Sequence, residues 1–194
     1  MSKIVAAVEA LDISLLTRLC EEAELTAAEN NEVHPFPTFH ILSALLDADL
    51  SEARFLWKRL PPQCKADAET RAAWALAQAL WQRDSRGFFE AAEQQWSKEA
   101  GHLVKELVRQ KREAAIRHVE RGYSRISMER AGATLGLNHS GLVDLCQRQE
   151  WVIEDGFILI NNVKHNRDAD NYAAVQQSEL QMLTEQLIKL QTTS

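Results

Sequence analysis

The amino-acid sequence predicts a mainly α protein: a helical-repeat, tetratricopeptide-like solenoid over residues 1–110, a winged helix over 111–160, a polar linker over 161–170 and a last helix over 171–191. Three observations carry this expectation. Capped segments with helical periodicity follow one another in short pairs before the wing. Two short helical segments near Ser127 and Asn138 lead into β-rich runs around Asp155-Gly156, the strongest short-range hairpin signal. The last helical segment carries a narrow leucine seam.

The first helical hairpin pairs residues 38–47 with residues 52–60, separated by Asp49-Leu50-Ser51 and stopped by Pro61-Pro62. A second unit follows, with a long helix from about Asp67 to Arg83, a break at Asp84-Ser85-Arg86-Gly87 and a helix from Phe88 to Gln94. Trp74 and Trp81 are seven residues apart and so share a helix face. With Trp57 they are expected to be largely buried. Alanines 72, 73, 75, 77 and 79 let neighbouring helices come close. Ser97 caps another helix through Leu103 and Leu107, which leads into a basic helix around Lys111 to Arg121. Stacked helix pairs of this size make a curved solenoid, although no strict repeat is present.

In the winged helix, Ser127 caps a helix through Leu135, and Gly136 sits where a left-handed C-terminal residue is wanted. Asn138 caps the next helix, which places Leu142, Leu145 and Cys146 on one face. The wing is Val152-Ile153-Glu154, a type I′ turn at Asp155-Gly156, and Phe157 to Ile160.

Charge decides how this module is read. Residues 125–165 hold four basic side chains (Arg125, Arg130, Arg148, Lys164) against five acidic ones (Glu129, Asp144, Glu150, Glu154, Asp155). Phosphate binding needs the opposite balance, so the module is expected to dock protein rather than nucleic acid. The whole chain agrees, with a net charge of −6 over 194 residues, which disfavours nucleic acid and anionic membrane surfaces. No apolar run approaches the ~20 residues of a membrane span. The N-terminus meets Glu9 and Asp12 too early for a signal peptide. The protein is therefore expected in the cytoplasm and nucleus. Cys20, Cys64 and Cys146 are odd in number and widely spaced, as buried thiols in a reducing compartment are.

No motif for catalysis, metal or cofactor is legible. The histidines His34, His40, His102, His118, His139 and His165 lack the His-x-His, His-Glu-x-x-His or Cys-x-x-Cys partners of a metal site. His139-Ser140 lacks a nucleophile elbow. Arg109, Lys111, Arg112, Arg117 and Arg121 alternate with Glu106, Glu113 and Glu120, the pattern of a solvated helix face. In the last helix Leu180, Leu183, Leu187 and Leu190 are spaced 3, 4 and 3. Such a seam must fold back on its own domain or enter a bundle with other chains.

A solenoid followed by a winged helix is the layout of the PCI domain. The runs Arg54-Phe55-Leu56-Trp57-Lys58 and Leu80-Trp81-Gln82-Arg83-Asp84, with Trp96-Ser97, Tyr123-Ser124-Arg125-Ile126, Leu135-Gly136-Leu137 and Trp151-Val152, resemble the smallest PCI subunits of the COP nine signalosome, the subunit-eight family, over roughly residues 40–155. The resemblance implies a non-catalytic scaffold in a complex that removes a ubiquitin-like modifier from cullins, its zinc isopeptidase being a different subunit. It also implies that other PCI subunits are the partners. They would meet the chain along the wing, at Val152, Ile153, Phe157 and Leu159, and in a helix bundle joined by Leu180, Leu183, Leu187 and Leu190. The alternatives are a small PCI subunit of the proteasome lid or a nucleic-acid-binding winged helix.

Overall fold

The structure is a computed structural model and describes residues 2–160. The expected linker and last helix, with Leu180, Leu183, Leu187 and Leu190, lie outside those residues. The described chain is mainly α, with ten helices and one small sheet: α1 (Ser2–Ala10), α2 (Ile13–Glu29), α3 (Pro37–Leu46), α4 (Leu50–Arg59), α5 (Pro62–Ala66), α6 (Ala68–Gln82), α7 (Ser85–Ala92), α8 (Lys98–Gly122), β1 (Arg125–Ser127), α9 (Met128–Leu135), α10 (His139–Gln149), β2 (Val152–Glu154) and β3 (Phe157–Leu159).

Side-chain caps set the helix starts. Asp12, Asp49, Asp67 and Asp84 each accept a hydrogen bond from the backbone N–H three residues on, opening α2, α4, α6 and α7. Pro37 and Pro62 open α3 and α5, where a missing N–H costs nothing. Arg83, in the left-handed region, ends α6, so the break before α7 takes only Arg83 and Asp84. Ser97 accepts from the Ala100 N–H and opens α8.

The chain divides into two compact units. Among the described residues, one holds those up to Ile116 together with Gly132–Leu137, and the other holds Arg117–Ala131 together with residues 138–160. In the first, α3 is the centre: it contacts α2, α4 and α6, and every residue from His40 to Leu46 is buried. Helix α6 packs by small residues, with Ala72, Ala73, Ala77 and Ala79 buried around Leu76. Cys20 and Cys64 are buried in this unit and Cys146 in the other, all three as free thiols.

Two expectations change. Residues 97–121 are not two helices but one, because Leu103, Leu107, Ala115 and Val119 continue a single buried stripe past Gln110 without a breaker. Trp81 is not buried. It is 53% exposed, while Trp57 and Trp74 are half-buried. The buried stripe of α6 runs through Ala73, Leu76 and Ala77, so the indoles leave the helix at the margin of that stripe, and only Trp74 finds a ring to lie against.

Candidate assembly surfaces

The wing is built as its turn chemistry demands. Asp155 and Gly156 have φ of 49° and 76°, the two positive values a type I′ turn needs. They pair β2 with β3 in antiparallel register: Val152 opposite Leu159, Ile153 opposite Ile158 and Glu154 opposite Phe157. β1 adds a third strand that the sequence did not suggest, pairing Arg125 with Leu159, Ile126 with Ile158 and Ser127 with Phe157. The order β1-β3-β2 leaves β2 at an edge. Ser127 caps α9 by accepting from the Arg130 N–H, and Asn138 caps α10 by accepting from the Gly141 N–H.

Alternation along these strands sorts the side chains between two faces. Ile126 and Ile158 are buried, and Ile153 shares their row but remains 40% exposed because it stands on the edge strand. Val152, Phe157 and Leu159 share the opposite face; the first two are exposed and Leu159 is half-buried. The structure thus brings three of the four wing residues together and sets Ile153 apart. The Arg125 guanidinium lies 4.1 Å from the centre of the Phe157 ring, across a diagonal of the sheet. The result is an apolar strip that runs from the central strand β3 to Val152 on the edge strand β2, flanked by Arg125 and Glu154.

In the first unit, a groove of about 280 Å³ is lined by Leu50, Arg54, Trp57, Trp74, Ala77 and Trp81, among others. Arg54 lies 5.0 Å from the Trp81 ring and Lys65 lies 5.6 Å from the Trp57 ring. The groove exists because Trp81 is exposed and Trp57 and Trp74 are only half-buried, which helix periodicity does not show. The basic stretch of α8 resolves into separate tasks. Arg109 pairs with Glu106 and Glu113 on the helix surface. Arg112 instead donates to the Leu135 and Gly136 carbonyls at 3.0 and 3.2 Å, satisfying the C-terminal end of α9. Gly136, with φ of 61°, turns the chain there so closely against Phe89 that a side chain would overlap the ring.

One polar cluster lies in the first unit. His34, from the segment between α2 and α3, places Nε2 3.2 Å from Nδ1 of His40 on α3. That Nδ1 lies 3.4 Å from Oε2 of Glu24 on α2. Arg59 on α4 holds both Glu24 oxygens and donates to Glu52 at 2.8 Å. Burial, and then the neighbouring His40, push the His34 imidazole down to about 4. Burial would raise the Glu24 carboxyl, but the Arg59 hydrogen bonds and charge outweigh it and hold the group below the usual carboxylate range. At neutral pH the cluster is therefore two neutral imidazoles beside a carboxylate.

Among the described residues no helix is long and apolar enough to cross a membrane. The profile of the CSN8/PSMD8/EIF3K family matches residues 34–170. The chain belongs to that family. Its similar proteins include COP9 signalosome complex subunit 8 of Xenopus tropicalis, 36% identical over 140 residues that make up 70% of this chain and 72% of the relative. The Danio rerio protein of the same name is 39% identical over 94 residues, 47% of this chain and 49% of the relative. The Arabidopsis thaliana protein is 28% identical over 98% of both chains. For this CSN8/PSMD8/EIF3K family member the match takes in most of the helical hairpins and the whole described wing.

Proposed function

We propose that this chain is a non-catalytic scaffold subunit of the COP9 signalosome, the assembly that removes a ubiquitin-like modifier from cullin-RING ubiquitin ligases, and that it acts in the cytoplasm and nucleus. The observation that carries the reading is the exposed β2 edge with Val152 and Phe157 on one face of the sheet, in a chain similar over its whole length to a signalosome subunit. The open edge of an outer strand with apolar side chains is a template for another chain's strand. Its partners on this reading are other PCI subunits. On this reading residues 1–110 would serve as the helical-repeat part and 111–160 as the winged helix, with α8 running through both, and residues 161–170 and 171–191, outside the described residues, would serve as a linker and an assembly helix.

Co-expression with signalosome PCI subunits tests the proposal. The wild-type chain is expected to co-elute with them. Val152→Asp with Phe157→Asp should keep the melting temperature, because both positions are exposed, and abolish co-elution by placing charge in a dry contact. Wild-type chain that never co-elutes would overturn the reading, and co-elution of the double variant would remove the wing from it.

A further inference from the structure

We propose that Glu24, His34 and His40 form a binding site for a divalent transition-metal ion of the zinc type. The site goes beyond the scaffold role and does not depend on it.

Ligand chemistry comes first. Two imidazole nitrogens and one carboxylate oxygen are a set that suits zinc and its first-row neighbours rather than magnesium or calcium. The three donor atoms lie within 4.8 Å of one another. In a tetrahedral site with bonds of 2.0–2.1 Å, neighbouring ligand atoms stand about 3.3 Å apart. Two edges of the cluster, 3.2 and 3.4 Å, already have that length. The third edge, at most 4.8 Å, would shorten on binding as the side chains turn their lone pairs to a common centre.

The hydrogen bonding supplies an independent argument. His34 Nδ1 accepts from the Phe36 N–H at 3.5 Å, which puts the His34 proton on Nε2, pointing at His40 Nδ1. The His40 proton must then sit on Nε2, a fully buried nitrogen that has no hydrogen-bond partner among the described residues. In this arrangement the bare Nδ1 of His40 faces the Glu24 carboxylate, lone pair to lone pair. Moving the His40 proton to Nδ1 sets it against the Nε2 proton of His34 instead. Moving the His34 proton to Nδ1 as well sets that one against the Phe36 N–H. Every pair of neutral tautomers leaves like groups facing each other.

A cation between the three atoms takes all the lone pairs at once. It gives up the Phe36 contact, the longest in the cluster, and it leaves the His40 proton on the buried Nε2, where the first tautomer pair also has it. Beyond the ligands, Arg59 orients the carboxylate, as second partners do in metal sites. The ionised groups Glu24, Glu52 and Arg59 sum to −1, which favours a cation. His40 lies deep in α3 and Glu24 on α2, so the ion would tie the two helices to the segment between them.

The test uses the tag-free full-length chain, stripped with chelator and titrated with Co²⁺ and then Zn²⁺. One equivalent of Co²⁺ should bind with the visible absorption of a four-coordinate site, and Zn²⁺ should displace it and raise the melting temperature. In the Co²⁺ form, two paramagnetically shifted imidazole N–H resonances are expected, one for each ligated histidine. Glu24→Gln and His34→Gln should each weaken binding by at least ~10-fold, whereas His102→Gln with His118→Gln, at exposed positions, should leave it unchanged. The proposal is overturned if the wild-type chain takes up no stoichiometric metal. It is equally overturned if fewer than two shifted imidazole resonances appear, a result that needs no variant to fold. Loss of binding in the His102 and His118 variant alone would place the ion at the surface and overturn it too.

Discussion

The indole rings of Trp57 on α4 and Trp74 on α6 lie parallel, 2° apart in orientation, with their centres separated by 5.0 Å. Stacking of this kind joins two helices by dispersion over a large flat area and is worth more than its buried surface alone. Trp57→Ala and Trp74→Ala should each cost about 2 kcal/mol, less than the ~3–5 kcal/mol of a fully buried aromatic, because both rings are half-buried. Thermal melts should show a fall of roughly 4–8 °C. Trp81→Ala should leave the midpoint nearly unchanged, and an equal loss at all three positions would contradict the exposure of Trp81.

Gly136 is required twice, by its positive φ and by the Phe89 ring against it. Gly136→Ala should lower the urea midpoint by the equivalent of more than ~1–2 kcal/mol, the cost of the left-handed conformation alone, without changing the slope. Phe89→Leu in the same background should recover part of the loss by freeing the space.

Asp67 caps α6, and its carboxyl is held below the ordinary value chiefly by the hydrogen bond from the Thr70 backbone N–H. The folded state binds this proton less readily than the unfolded one, so the stabilisation is complete above the ordinary carboxylate range and is lost as pH falls through the folded value. Asp67→Ala should cost about 1 kcal/mol at neutral pH. Asp67→Asn should keep most of the cap and flatten the acid limb of stability against pH, measured by urea titration.

Deleting residues 171–194 should leave a chain that melts as before but no longer joins other PCI subunits, if Leu180, Leu183, Leu187 and Leu190 serve a multi-chain bundle. Circular dichroism melts read beside co-elution decide it. A collapsed melt would assign the seam to this chain's own core instead.

Much of the fold was legible because its instructions are local. Asp155-Gly156 specifies its turn by backbone conformation alone, Asn138 and Ser127 cap within three residues, and Gly136 marks its own φ. What stayed hidden depends on contacts far apart in sequence. β1 is three residues long, too short to show alternation, and it becomes a strand only because β3 lies beside it. Trp81 follows Trp74 by seven residues and reads like it, yet burial is decided by whether another helix supplies a ring. The Glu24, His34 and His40 cluster has no helical or strand spacing. The segment between α2 and α3 reverses the chain and brings the three side chains together, and no motif records that.

The three thiols described above are sealed inside the packing, with Cys20 pushed up to about 12 by burial and by Glu21 and Glu24. A thiol so protonated and so enclosed does not react with alkylating reagents until the structure around it opens. Cys20 and Cys64 belong to one compact unit and Cys146 to the other, so the chain carries its own reporters of opening in each. The rate at which each thiol becomes labelled measures how often its surroundings breathe, and comparing Cys146 with Cys20 tells whether the two units loosen together or in turn.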